Sequence, residues 1–172
     1  MKNLYAYDFD KTLVPYDSFR RYLWHLMHYR PFYICYLLVL RRCRIISSKK
    51  LKEKVTILVE SSKYLLDDAK SFANTIKQDI CIPTEQENST ILLITASPKV
   101  YMKYVVEDLD CNMLCSDYVD KEYVEMYGHT KAEYLHRYYP TSKYQYIYAM
   151  SDSTSDVCWM KEFNEYEIIK KS

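Results

Sequence analysis

Four short stretches of this chain carry side chains whose types and spacing could do chemistry. Tyr5-Ala6-Tyr7-Asp8-Phe9-Asp10-Lys11-Thr12-Leu13 offers two carboxylates one residue apart, and Ile94-Thr95-Ala96-Ser97-Pro98 offers a hydroxyl behind an apolar run. Gly128-His129-Thr130-Lys131 contributes an ammonium, and Ser151-Asp152-Ser153-Thr154-Ser155-Asp156 an acidic pair. In an extended chain Asp8 and Asp10 point to the same side. Phosphoryl transfer needs an attacking oxygen and a group that protonates the departing one, and two nearby carboxylates can divide that labour. Asp8 with Asp152 could hold Mg²⁺, which takes a few carboxylates plus water and phosphate oxygen.

Each stretch alone has a plainer reading. Asp-x-Asp is common in turns, a threonine or serine after a strand often caps a helix, and most lysines after a turn are solvated. Ser151 to Ser155 is rich in capping residues. Gly128 carries more weight, because it is the only glycine in 172 residues. Average usage would give roughly a dozen. A chain that avoids glycine keeps one where backbone geometry or close approach requires it.

The elements that must position these groups follow from periodicity. Residues 3–9 read as a buried strand. Asp17-Ser18 offers an N-cap to a helix through Phe19, Tyr22, Leu23 and Leu26, and Pro31 suits the first turn of a helix to about Arg42. Ser47-Ser48 caps a third helix, and residues 65–80 form a fourth with Asp67-Asp68 in its first turn. Residues 83–90 are a polar loop. Then come a strand at 91–94, a helix from Ser97-Pro98 through Leu109, and weaker strands at 111–115 and 122–126. A helix capped by Thr130, a strand at 144–150, a helix at 155–163 and a strand at 166–169 complete the chain. Strands alternating with helices imply an α/β fold with a mostly parallel sheet, interrupted after its first strand by an all-helical block at 14–88. In such sheets ligands sit beyond the carboxyl ends of the strands, where Asp8, Thr95 and Asp152 would converge.

Composition bounds the class. The hydrophobic share of 49% and charged share of 27% suit a globular protein of one core. The 20 tyrosines suit half-buried surfaces and interfaces. Net charge is +1, unevenly spread: residues 18–54 hold ten basic side chains and one acid, Glu53. Residues 91–172 hold nine basic and thirteen acidic side chains. A basic segment on an acidic body points to an anionic partner or to solvated helix faces. The six cysteines form no Cys-x-x-Cys pair and no zinc spacing, so free thiols in the cytoplasm are expected. The strand close behind Met1 leaves no room for a signal peptide.

Residues 31–40 are uncharged and largely apolar, flanked by Arg30 and by Arg41, Arg42 and Arg44. As a helix they cover roughly 15 Å, half a hydrocarbon core. They cannot span a bilayer. Two readings remain: a helix packed on its neighbours, or an interfacial helix at a membrane surface.

In order and spacing, the four stretches resemble the haloacid dehalogenase-like hydrolases, specifically the phosphoserine-phosphatase-like branch. The resemblance covers nearly the whole chain. It implies a Rossmann-like core over 1–13 and 89–172, with the first strand central, and a helical cap over 14–88. It further implies Asp8 as nucleophile and Asp10 as general acid, then base. Thr95 and Lys131 would hold the phosphoryl group. Mg²⁺ would be bound by Asp8, Asp152 and the main-chain oxygen of Asp10; Asp156 would support the metal shell or Lys131, and Thr12 is a further supporting residue. Asp17 stands where the branch often places an acid near the cap and is a candidate substrate contact. Ser151 stands where the family usually has glycine, Lys11 replaces another common glycine, and Ala96-Ser97-Pro98 replaces the paired glycines of phosphoserine phosphatases.

The expected activity is a Mg²⁺-dependent phosphomonoester hydrolase acting through an aspartyl-phosphate. The substrate is a phosphorylated small molecule or lipid phosphate, with no nucleic acid involved. The alternatives are a phosphotransferase using the same intermediate, and a catalytically silent module that binds an anionic membrane or a phosphorylated ligand.

Overall fold

A computed structural model describes residues 1–82 and 89–169. Its centre is a six-stranded sheet in the order β4-β3-β2-β1-β5-β6. The strands are β1 (Lys2–Tyr7), β2 (Ser89–Pro98), β3 (Asn112–Val119), β4 (Glu122–Val124), β5 (Tyr144–Ser151) and β6 (Glu165–Ile168). All neighbours pair in parallel except β3 and β4, which form an antiparallel edge hairpin. The first strand is internal, between β2 and β5, as expected. Burial of both faces explains the unbroken apolar runs. Leu4, Ala6, Leu92 and Ile94 point to one side, and Tyr7, Ile91 and Leu93 to the other.

Between β1 and β2 the described residues form four helices: α1 (Ser18–Leu26), α2 (Pro31–Arg42), α3 (Ser48–Glu60) and α4 (Lys63–Lys77). Their starts follow local chemistry. The Asp17 side chain accepts the Arg20 amide at 2.7 Å, Pro31 occupies the first turn of α2, and Ser47 Oγ accepts the Lys50 amide at 3.1 Å. Tyr22, Leu26, Ile34, Leu37, Val55, Leu65 and Phe72 join Tyr7, Phe9 and Leu93 in one apolar cluster. The insertion therefore shares its core with one face of the sheet. On the opposite face, α6 (His129–Tyr138) and α7 (Val157–Met160) bury Leu135, Trp159 and Met160. Helix α5 (Lys99–Val105) follows β2 and packs with the insertion.

Several boundaries differ from expectation. Strand β1 stops at Tyr7, which leaves Asp8 just beyond its end. The strand expected over 91–94 runs from Ser89 to Pro98, since Pro98 still pairs with Ser116 of β3, so Thr95 lies inside it. Helix α4 begins two residues early, so Asp67 and Asp68 miss its first turn. Asp68 instead holds His25 at 2.9 Å. Helix α5 ends at Val105 instead of Leu109. The helix expected over 155–163 is a 3₁₀ turn, Thr154–Asp156, followed by the single turn of α7. Most of the polar loop, residues 83–88, lies outside the described residues.

Thr130 does not cap α6. The cap is Gly128, with φ 54° and ψ −124°. No atom lies within 4 Å of where a Cβ would stand. Dihedral geometry, not crowding, therefore demands the single glycine. Lys11 also has positive φ, 58°, at the position where glycine is common in the resembling family. No helix among the described residues is long and apolar enough to cross a membrane.

Candidate active site

A cleft of about 540 Å³ opens beyond the carboxyl ends of β1, β2 and β5. Asp8, Asp10, Asp17, Lys131, Asp152 and Asp156 all line it. Thr12 and Thr95 do not. Thr95 is fully buried, and its Oγ1 accepts the Ser97 amide at 3.1 Å. Thr12 Oγ1 is buried without a partner among the described residues.

The tightest cluster centres on Lys131, presented by the first turn of α6. Its Nζ donates to Asp8 Oδ1 at 2.6 Å and to Asp156 Oδ2 at 2.7 Å. All three residues are buried. Burial works to lower the Lys131 pKa, but the Asp8 and Asp156 charges overcome it and raise it, so the ammonium stays charged. For Asp8, burial outweighs the attraction of Lys131 and pushes the carboxyl up to about 7. Asp8 is fixed from behind as well, because its amide donates to Met150 O at 2.9 Å and extends the β1–β5 pairing.

Ser151, the residue in place of glycine, is part of this cluster. Its Oγ donates to Asp156 Oδ2 at 2.7 Å and accepts the Ser153 amide at 3.2 Å. The hydroxyl thus ties the turn after β5 to the acid that holds Lys131.

Asp10 faces a different set of partners. Its Oδ1 accepts the Ser18 amide at 2.6 Å, and its Oδ2 accepts Ser97 Oγ at 2.6 Å. Ser97 Oγ lies 3.1 Å from Ser18 Oγ, which lies 2.9 Å from Tyr101 Oη. Since Ser97 spends its proton on Asp10, the chain runs Tyr101 to Ser18 to Ser97 to Asp10. Burial raises the Asp10 pKa against the hydrogen bonds from Ser18 and Ser97. A half-buried acid with a raised pKa suits proton donation.

Sequence reasoning missed Ser97 and Ser18 as partners of Asp10, because serines beside a helix start look like ordinary caps. It also missed a bridge from α3 across the cleft. Lys52 Nζ and Ser48 Oγ both donate to Glu125 Oε1, at 2.7 and 2.8 Å. A signal for Lys52 existed: it sits on the buried face of α3 with Val55, Thr56 and Val59, where a lysine must find a partner.

The donor set bears on a metal. Asp8 and Asp156 share one buried ammonium, leaving excess negative charge. The half-buried Asp152 carboxylate has no hydrogen bond or ion pair among the described residues, and it lines the same cleft. An unpartnered carboxylate beside an under-compensated buried acid fits a hard divalent cation that keeps most of its waters. Among the described residues no group of three or more His, Cys, Asp and Glu is placed to hold a metal ion. Both Asp10 carboxylate oxygens are turned to serines, so that residue could offer a cation only its main-chain oxygen.

The sequence matches the haloacid dehalogenase-like hydrolase family over residues 6–161. The chain belongs to that family. Solved structures agree on the fold. A protein of unknown function from Bordetella pertussis Tohama I superposes with TM-score 0.69 at 15% identity, over 100% of this chain and 92% of that one. A phosphoserine phosphohydrolase-like protein from Francisella tularensis subsp. tularensis SCHU S4 gives 0.52 at 14% identity, over 96% and 86%. A phospho-aspartyl intermediate analogue of phosphoserine phosphatase gives 0.52 at 12%, over 96% and 85%. No curated protein matches the sequence.

Proposed function

We propose that this haloacid dehalogenase-like hydrolase is a phosphomonoesterase that works through a phosphoryl group carried on Asp8. The observation that carries this reading is the Lys131 ammonium held between Asp8 and Asp156 in the cleft. A buried lysine pinned by two acids is a fixed positive charge where phosphoryl oxygens would arrive, and it costs no reorganisation during reaction. A neighbouring fold is that of phosphoserine phosphatase, which supports a phosphorylated small molecule as substrate.

In this reading an Asp8 carboxylate oxygen attacks phosphorus and the bond from phosphorus to the ester oxygen breaks. Asp10 gives its proton to that leaving oxygen and becomes a carboxylate. Asp10 then takes a proton from water as the water oxygen attacks phosphorus. Inorganic phosphate departs, the Asp8 carboxylate is restored and Asp10 is again protonated. Ser97 and the Ser18 amide hold Asp10 in one orientation through both steps. Lys131 steadies the phosphoryl oxygens and Asp17 meets the leaving group, while Thr95, buried behind the cleft, acts only by holding the Ser97 amide. Asp8, Asp152 and the Asp10 main-chain oxygen would hold Mg²⁺, which when bound supplies positive charge facing the phosphoryl oxygens. The helical insertion over 14–88 acts as a cap, contributing Phe19, Arg41, Ser48 and Lys52 to the cleft lining.

The test is phosphate release from a panel of phosphomonoesters with and without Mg²⁺, with free phosphate and phosphorylated acceptor measured separately. The reading expects free phosphate, only with Mg²⁺, and none from Asp8→Asn. Phosphorylated acceptor would make the protein a transferase, and full activity in Asp8→Asn would remove the nucleophile.

A further inference from the structure

Helix α2 is apolar on more sides than its neighbours can cover. Of the ten uncharged residues Pro31 to Leu40, only Ile34 and Leu37 are buried. Phe32, Cys35, Tyr36 and Val39 follow the i, i+3, i+4, i+7 spacing of one helix face. All four are exposed, Phe32 to 91% and Val39 to 59%. Ile45, just past the helix, and Trp24 on α1 are exposed as well. Arg41, on the opposite side of α2, lines the cleft. One side of the helix therefore serves the site and the other faces solvent with a stripe of aromatic and aliphatic groups.

Charge along this segment of the chain is of one sign. Arg21 pairs with Asp79, Lys50 with Glu53, and Lys52 with Glu125. Exposed Arg30, Arg42 and Arg44 have no ion pair among the described residues. No acid occurs from Ser18 to Lys52. Two copies meeting through this face would set these cations against each other, which argues against a second copy as the occupant. An anionic bilayer surface satisfies both halves: apolar side chains enter the boundary of headgroup and acyl chain, and arginines meet lipid phosphates. At about 18 Å for twelve residues, α2 lies along such a surface and does not cross it.

We propose that the outer stripe of α2, with Arg30, Arg42 and Arg44, docks the protein on anionic lipid membranes. This surface stands apart from the catalytic reading, and its test needs no turnover.

The test is co-sedimentation of the full chain with vesicles of phosphatidylcholine alone and of equimolar phosphatidylcholine and phosphatidylglycerol. Trp24 supplies a second readout, because the other tryptophan, Trp159, is fully buried. The protein should pellet with the mixed vesicles and stay in solution with phosphatidylcholine. Its emission should shift to the blue on binding, and Trp24→Phe should abolish the shift. Arg42→Gln with Arg44→Gln should weaken binding about thirtyfold, since each basic residue near an anionic surface contributes about fivefold. Phe32→Ser with Val39→Ser should weaken it at unchanged charge, with circular dichroism matching the parent. No pelleting with mixed vesicles, or pelleting that neither double variant reduces, overturns the proposal. A concentration-dependent dimer that Phe32→Ser with Val39→Ser dissolves would overturn it too, by giving the face to a second copy.

Discussion

Lys131 Nζ lies 2.6 Å from Asp8 Oδ1 although 123 residues separate the two in the chain. The same nitrogen lies 2.7 Å from Asp156. Removing it leaves two buried carboxylates facing each other. Lys131→Met is expected to cost about 3–5 kcal/mol, the usual penalty for stranding a buried charge. Denaturant unfolding measures this, and adding Asp156→Asn should recover part of the loss. Phosphatase activity of Lys131→Met should fall below detection.

Ser97 acts through Asp10. Ser97→Ala removes a hydrogen bond to Asp10 and the middle link of the chain from Tyr101. Steady-state kinetics should show kcat reduced about tenfold with KM little changed, and Ser97→Thr should restore most of it. A change confined to KM would assign Ser97 to substrate binding instead.

Asp8 makes stability depend on pH with a definite sign. Its folded pKa of about 7 lies above the ordinary 3.8, so the folded state binds the extra proton between those values. That contribution to stability is complete below the unfolded pKa and is lost as pH rises through about 7. Thermal unfolding of metal-free protein should therefore show a falling component between about pH 4 and pH 7 that Asp8→Asn lacks. Added Mg²⁺ favours the ionised carboxylate and should flatten it.

Ser151 illustrates where the sequence was informative and where it was not. The position was legible as an unusual replacement for glycine, but not its use. The hydroxyl serves both Asp156 and the Ser153 amide. Ser151→Ala is expected to lower stability by about 1 kcal/mol, read by denaturant unfolding.

The parallel sheet with an internal first strand was legible because β1 and β2 bury both faces and so carry apolar runs without alternation. Helix starts at Asp17, Pro31 and Ser47 were legible because capping is local chemistry. Helix ends were less so. Residues 155–163 have helical composition, yet the turn that holds Asp156 against Ser151 tightens the first part into a 3₁₀ segment. The convergence of Asp8 and Asp152 on one cleft followed from their places beside strand ends, and that of Lys131 from its place at the start of a helix. Thr95 was placed at a strand end because its apolar run stops there. Pairing of Pro98 with Ser116 carries the strand past it and leaves its hydroxyl on the Ser97 amide. Pairings such as Asp10 with Ser97, or Lys52 with Glu125, depend on side-chain directions that no spacing reveals.

The most direct test of the central claim is to quench the enzyme during turnover of a phosphomonoester and examine its tryptic peptides by mass spectrometry. The expected result is a phosphoryl group on the peptide Asn3–Lys11, removed by hydroxylamine and mapped by fragmentation to Asp8, absent in Asp8→Asn. Steady phosphate release with that peptide unmodified, or with the phosphoryl group on Asp10, would contradict it.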